Sequence, residues 1–206
     1  MRFGIIDYGM GNLHSVSGAL RHIGRDCFIS RSREELASAD ALILPGVGAF
    51  PLAMQTLNAL GMTQFIREEA GKKPLLGICL GMQLLFDVGY EFGECRGLGL
   101  IAGKVIRIDA DIPGFPYKIP HMGWNRLTCR TPSPLSASLG DDSYVYFVHS
   151  YKAVVEDRSD LIASTDYGGE IAAIVGRGCV FGTQFHPEKS EETGLGILRS
   201  FCGLVS

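Results

Sequence analysis

The chain has 206 residues, 46% of them hydrophobic, with 19 basic against 22 acidic side chains and a formal net charge of −3, which is enough for one sizeable core. No basic run or aromatic-interleaved basic strip occurs along it, which argues against a nucleic-acid partner, and no apolar stretch approaches the roughly 18 residues of a membrane-spanning helix. The cysteines (Cys27, Cys79, Cys95, Cys129, Cys179 and Cys202) show no C-x-x-C pair and no zinc-like spacing, so reduced thiols in a cytoplasmic protein without metal or cofactor are expected.

The opening MRFGIIDYG carries a single arginine and an apolar run too short for a secretory signal, so it reads as a first strand, RFGII at 2–6. Two further short apolar runs follow, DCFIS at 26–30 and ALILPG at 41–46, and then PLLGI at 74–78. Between them lie segments of helical spacing: 12–23 puts Leu13, Val16, Leu20 and Ile23 on one face, and 51–70 carries Leu52, Leu57, Leu60 and Phe65. Strands apolar on both faces and alternating with helices predict a parallel sheet covered on both sides. LGMQLLFDV, at 80–88, continues PLLGI as a helix. After it come GKVIRI (103–108), GWNRLT (123–128), SYVYFVHS (143–150), DLIAST (160–165), EIAAIVGRG (170–178) and CVFGTQFH (179–186), all strand-like, and a closing helix at 193–205. The Pro-rich DIPGFPYKIP at 111–120 reads as a surface loop. The expected architecture is one α/β domain over 1–206, with a mixed, mainly parallel sheet, helices on both faces and added antiparallel strands in the second half.

Chemistry concentrates at PLLGICLGMQLLF, residues 74–86. A strand that reverses into a helix at Cys79 needs small neighbours, and Gly77 and Gly81 supply them. G-x-C-x-G is therefore the thiol counterpart of a nucleophile elbow, with the sulfur at a helix start that favours a thiolate. A lone cysteine is also a common core residue. The second signal is HPE at 186–188: residues two apart on an extended backbone share a face, so Glu188 can orient the imidazole of His186. A solvated strand-end pair would look the same in isolation. Taken together, Cys79, His186 and Glu188 supply a nucleophile, a base and an orienting carboxylate. An acyl-transfer site also needs oxyanion donors. The backbone N–H of Leu80 is one candidate, and the loop LPGVGAF (44–50), where Gly46 and Gly48 flank Val47, offers a second, although a plain Gly-rich turn fits those residues equally well. Gln83 lies one helical turn beyond Cys79 and leans back toward it.

The GICLGMQ, PGVG and HPE segments resemble the class I, or triad, glutamine amidotransferases, and the resemblance implies that Cys79, His186 and Glu188 release ammonia from glutamine. DYGMGNLHSV (7–16), GLGLIAGKV (97–105), HMGWN (121–125), FVHSY (147–151) and HPEKS (186–190) narrow it to the glutaminase subunits of imidazole glycerol phosphate synthase, along essentially the whole chain. The resemblance implies a glutamine site at Gly48, Gln83, Ser150, Tyr151 and Glu91; His149 itself reads as a satisfied strand-end histidine rather than a catalytic one. It also implies a partner, a (β/α)₈-barrel cyclase subunit that receives the ammonia in a heterodimer, with Asn12, Met122, Trp124, Tyr146 and Lys189 at the contact. Trp124 fits a core position as well. The chain itself has no P-loop or Lys/Arg cluster for a bisphosphorylated acceptor. Triad glutaminases of anthranilate, aminodeoxychorismate or pyridoxal phosphate synthesis, and a non-catalytic binding module, are the rival readings.

Overall fold

Residues 1–109 and 117–205 are described by a computed structural model. Most of the Pro-rich loop expected at 111–120 lies outside the described residues. The chain begins β1 (Arg2–Ile6), α1 (Leu13–His22), β2 (Asp26–Ser30), α2 (Arg33–Ala37) and β3 (Ala41–Gly46). It continues with α3 (Phe50–Ala59), α4 (Met62–Ala70), β4 (Leu75–Cys79) and α5 (Leu80–Leu84). Next come β5 (Phe86–Gly89), β6 (Cys95–Arg96), β7 (Ile101–Arg107), β8 (His121–Arg126), β9 (Thr128–Cys129), β10 (Tyr144–His149) and β11 (Tyr151–Val155). Finally there are β12 (Leu161–Asp166), β13 (Glu170–Arg177), β14 (Val180–Thr183) and α6 (Glu191–Cys202).

The main sheet has the order β2-β1-β3-β4-β14-β13-β12-β9. The first five strands run parallel, and β13, β12 and β9 each pair antiparallel with their neighbour. Both faces are buried, and alternate residues feed opposite cores: Leu42 and Leu44 of β3 enter one, Ala41 and Ile43 the other. This is why the strand runs show no polar alternation. Helices α2 to α5 pack on the first face through Leu36, Phe50, Leu57, Ile66 and Leu84. Helices α1 and α6 pack on the second through Val16, Leu20, Ile197 and Phe201. A four-stranded sheet, β11-β7-β5-β6, and a two-stranded ribbon of β8 and β10 complete the molecule.

Three expectations are corrected. The segment 51–70 is two helices, because Gly61 takes φ 66° between them, a conformation that glycine adopts without steric cost. The helix expected over 80–88 stops at Leu84 and is followed by strand β5. The carbonyls of Leu84, Leu85, Phe86 and Asp87 accept from the amides of residues 97–101, so long-range pairing wins over local helical spacing. The strand expected to reach residue 186 ends at Thr183. In addition, β11 and the short α2 are not among the expected elements, although Ser32 and Glu35 stand in the S-x-x-E spacing of a helix start and Ser32 caps α2.

Candidate active site

Cys79 ends β4 and precedes the first turn of α5, with φ 56° and ψ −112°. A non-glycine residue at positive φ carries strain of about 1–3 kcal/mol, held only where the surroundings over-determine it. Here they do. A Cβ on Gly81 would lie 1.8 Å from the carbonyl oxygen of Leu44, and one on Gly77 2.6 Å from the carbonyl oxygen of Gly81. Helix α5 therefore sits directly against β3 and β4, and only glycines allow it. No side chain caps its first turn, which leaves the leading amides beside the sulfur.

The elbow opens into a cavity of about 340 Å³ lined by Val47, Gly48, Cys79, Leu80, Gln83, Glu91, Val148, His149, Ser150, Tyr151 and His186. Every residue expected as nucleophile, base, oxyanion donor or part of the glutamine site lines it, whereas the expected orienting carboxylate, Glu188, does not and touches His186 instead. The Glu91 carboxylate, at the cavity wall, accepts from the backbone N–H of Phe50 at 2.7 Å.

His186 and Glu188 meet at 2.8 Å, Nδ1 to Oε1, with only 4% and 1% of their side chains exposed. They meet differently from the extended-strand argument. Pro187–Lys189 is a single turn of 3-10 helix that opens at His186, so the turn, and not strand alternation, brings the carboxylate under the ring. The turn is pinned by Ser190, whose hydroxyl donates to the His186 carbonyl at 2.7 Å and accepts from the Tyr146 amide at 3.0 Å. Burial disfavours the charged ring, yet hydrogen bonds to the Cys79 sulfur and to Glu188 outweigh it and hold the imidazolium pKa up at about 10. His186 thus stands between the Cys79 sulfur and the Glu188 carboxylate, where an imidazole could carry a proton.

Gln83 donates from Nε2 to the Tyr151 carbonyl and to Oε1 of Gln184, both at 3.0 Å. In this orientation both amide protons are engaged, and Oε1 is the group left to offer the cavity. Gln184, whose Nε2 lies 4.0 Å from the Cys79 sulfur, is a site residue that the sequence reading missed; its place two residues before His186 was the available signal.

A family model for class-I glutamine amidotransferases matches residues 4–202. The chain belongs to that family. Among the amidotransferase's relatives, subunit HisH of imidazole glycerol phosphate synthase from Geobacillus kaustophilus is 53% identical over 205 residues, covering 98% of this chain and 97% of that protein. The HisH subunit from Bacillus subtilis is 50% identical over 205 residues, covering 98% and 96%. Two solved structures share the fold. PurLQS from Thermotoga maritima has a TM-score of 0.75 at 19% identity over 100% of this chain and 99% of that one. A protein whose structure was solved as a glutamine amidotransferase has a TM-score of 0.72 at 23% identity over 98% of each chain.

The residues expected to face a partner spread over the surface of the amidotransferase. Met122 and Trp124 are 59% and 46% exposed, so Trp124 is not a core residue. Its ring meets that of Tyr146 edge-on across the β8–β10 ribbon, centroids 6.0 Å apart. Lys189 is exposed in the turn after His186, and Asn12, half-buried, precedes α1. Among the described residues, no group of His, Cys, Asp or Glu is arranged to hold a metal ion, and no helix is long and apolar enough to cross a membrane.

Proposed function

We propose that the chain, as a single domain over 1–206, is the cytoplasmic glutaminase subunit of an imidazole glycerol phosphate synthase. The contact of His186 with both Cys79 and Glu188 at the wall of a glutamine-sized cavity carries the reading, and full-length relatives named HisH supply the pathway. Cys79 sulfur bonds to the side-chain carbonyl carbon of glutamine, its proton resting on His186, while the carbonyl electron pair moves onto oxygen. The backbone N–H groups of Leu80 and Val47 receive that oxyanion. Collapse of the intermediate breaks the C–N bond as His186 protonates the departing nitrogen, leaving ammonia and a γ-glutamyl thioester. Water, deprotonated by the same imidazole, then releases glutamate and restores the thiol.

Gly48, Gln83, Glu91, Ser150 and Tyr151 hold the amino-acid end of the substrate. Ammonia passes to a (β/α)₈-barrel cyclase docked on Asn12, Met122, Trp124, Tyr146 and Lys189. The exposed Met122 and Trp124 support this surface, since aromatic and Met side chains are enriched at interface centres. The test is glutamate release from glutamine by the chain alone and with a cyclase subunit plus its nucleotide substrate. Strong stimulation by the pair, abolished by Cys79→Ala, is expected. Turnover retained by Cys79→Ala would sink the mechanism, and no stimulation by the cyclase would sink the pathway.

A further inference from the structure

The β8–β10 ribbon has one exposed and one buried face. Met122, Trp124 and Tyr146 lie on the first; His121, paired with His149 across the ribbon, lies with Val145 and Phe147 on the second. Both histidines are buried, at 0% and 6% exposure, and hydrogen-bonded at both ring nitrogens. His121 Nδ1 and His149 Nε2 are 2.9 Å apart, His149 Nδ1 lies 2.8 Å from the Tyr151 carbonyl oxygen, and His121 Nε2 lies 2.8 Å from Oδ1 of Asn125, whose Nδ2 faces the Asp166 carbonyl at 3.4 Å.

Counting protons orders this chain. A carbonyl can only accept, so His149 carries its proton on Nδ1. Burial pushes the pKa of His149 down to about 3 and that of His121 below its usual value, so each ring has one N–H. His149 Nε2 must then accept, which puts the His121 proton on its Nδ1. His121 Nε2 then has no proton for Asn125 Oδ1, so this order requires the Asn125 amide turned over, its NH₂ toward the ring in place of the oxygen that faces it and the 3.4 Å donation to the Asp166 carbonyl given up. The chain runs one way, from Asn125 through His121 and His149 to the Tyr151 carbonyl. His121 is clamped between Phe147 and Tyr167, centroids 4.6 Å and 3.8 Å away and nearly parallel, so its ring cannot turn to offer the other nitrogen.

That carbonyl is also where Gln83 donates. We propose that His149 is a positioning residue for glutamine: its Nδ1–H and the Gln83 Nε2–H converge on the Tyr151 oxygen, which fixes the Gln83 amide with Oε1 toward an N–H donor of the substrate, and His121 holds His149 in the tautomer that does this. The role rests on the glutaminase reading, but the tautomers do not.

Two measurements separate them. Long-range ¹⁵N–¹H correlation spectra of the labelled full chain should show both rings as Nδ1–H tautomers; an Nε2–H tautomer at His149 overturns the proposal whatever the chain's activity. Glutamine binding is then titrated on the Cys79→Ala chain carrying either of two changes. In His149→Asn the amide nitrogen stands where Nδ1 stood and keeps the donation to Tyr151. In His149→Gln it stands where Nε2 stood and loses it. About tenfold weaker glutamine binding is expected for His149→Gln, the scale of one lost hydrogen bond, and within about threefold of the parent for His149→Asn. Equal losses in both variants mean a merely structural histidine, and no loss in either means no role; each refutes the positioning. If the Cys79→Ala parent itself binds no glutamine, the glutaminase reading fails, and the positioning of glutamine falls with it.

Discussion

Gly81→Ala tests how closely the nucleophile helix is seated. The added Cβ would lie 1.8 Å from the Leu44 carbonyl oxygen and 2.9 Å from its carbon, where ordinary contact begins at 3.4 Å. The overlap is with the backbone of β3, inside the main sheet, so no side chain can swing aside. Overpacking that neighbours can absorb costs about 1–3 kcal/mol, and a clash with sheet backbone belongs at or above the top of that range. At about 2–4 °C per kcal/mol for a domain of this size, the melting temperature should fall by about 6–12 °C. Gly18→Ala is the control. It lies within α1 with nothing within 4 Å of its Cβ position, so alanine should stabilise by about 0.5–1 kcal/mol. Scanning calorimetry of the pair should therefore show shifts of opposite sign. A Gly81→Ala protein melting within about 2 °C of the parent would refute the close seating of α5.

Glu188→Gln removes one of the two contacts that raise the His186 pKa to about 10; the alkaline limb of the activity profile should move to lower pH, and turnover should fall at least about tenfold. The raised His186 pKa stabilises the fold fully below pH 6.5 and loses that contribution as pH climbs through about 10, so the same variant should flatten the alkaline decline in stability. His149 acts in the opposite direction. Its folded pKa of about 3 lies below the usual 6.5, so the unfolded chain takes up a proton that the native one refuses. Stability should drop below pH 6.5 by up to about 1.4 kcal/mol per pH unit from this ring, and urea unfolding of His149→Asn should lack that component. Tyr8 is 1% exposed, and its hydroxyl has no hydrogen-bond partner among the described residues; Tyr8→Phe should raise the melting temperature, an unpaired buried donor costing about 1–3 kcal/mol.

The first strands were legible to the residue: ALILPG because burial on both faces writes an unbroken apolar run, and DCFIS, an edge strand with Asp26 exposed and Phe28 and Ile29 half-buried, because polar residues bound a short apolar run. The elbow was legible because only small residues tolerate the approach at Gly77 and Gly81. What local pattern could not reveal came from distant partners. The end of α5 depends on amides 97–101 claiming its carbonyls, and the break at Gly61 depends on a backbone conformation that glycine permits but does not require. The pairing of His121 with His149 depends on an antiparallel register linking residues 28 apart. His186 and Glu188 were identified by residue type, while the 3-10 turn that joins them was not.

The position of β14 has a consequence for how the site comes into being. It fills the slot between β4, which carries the nucleophile, and β13, with Gly77 beside Gly182 and Ile78 beside Thr183. Any fragment ending before residue 180 lacks the strand that leads to the base and leaves the nucleophile strand as an unpaired edge. On the proposed mechanism, the strand that closes the sheet beside Cys79 also leads to His186, and a chain lacking β14 would carry the sulfur without its base.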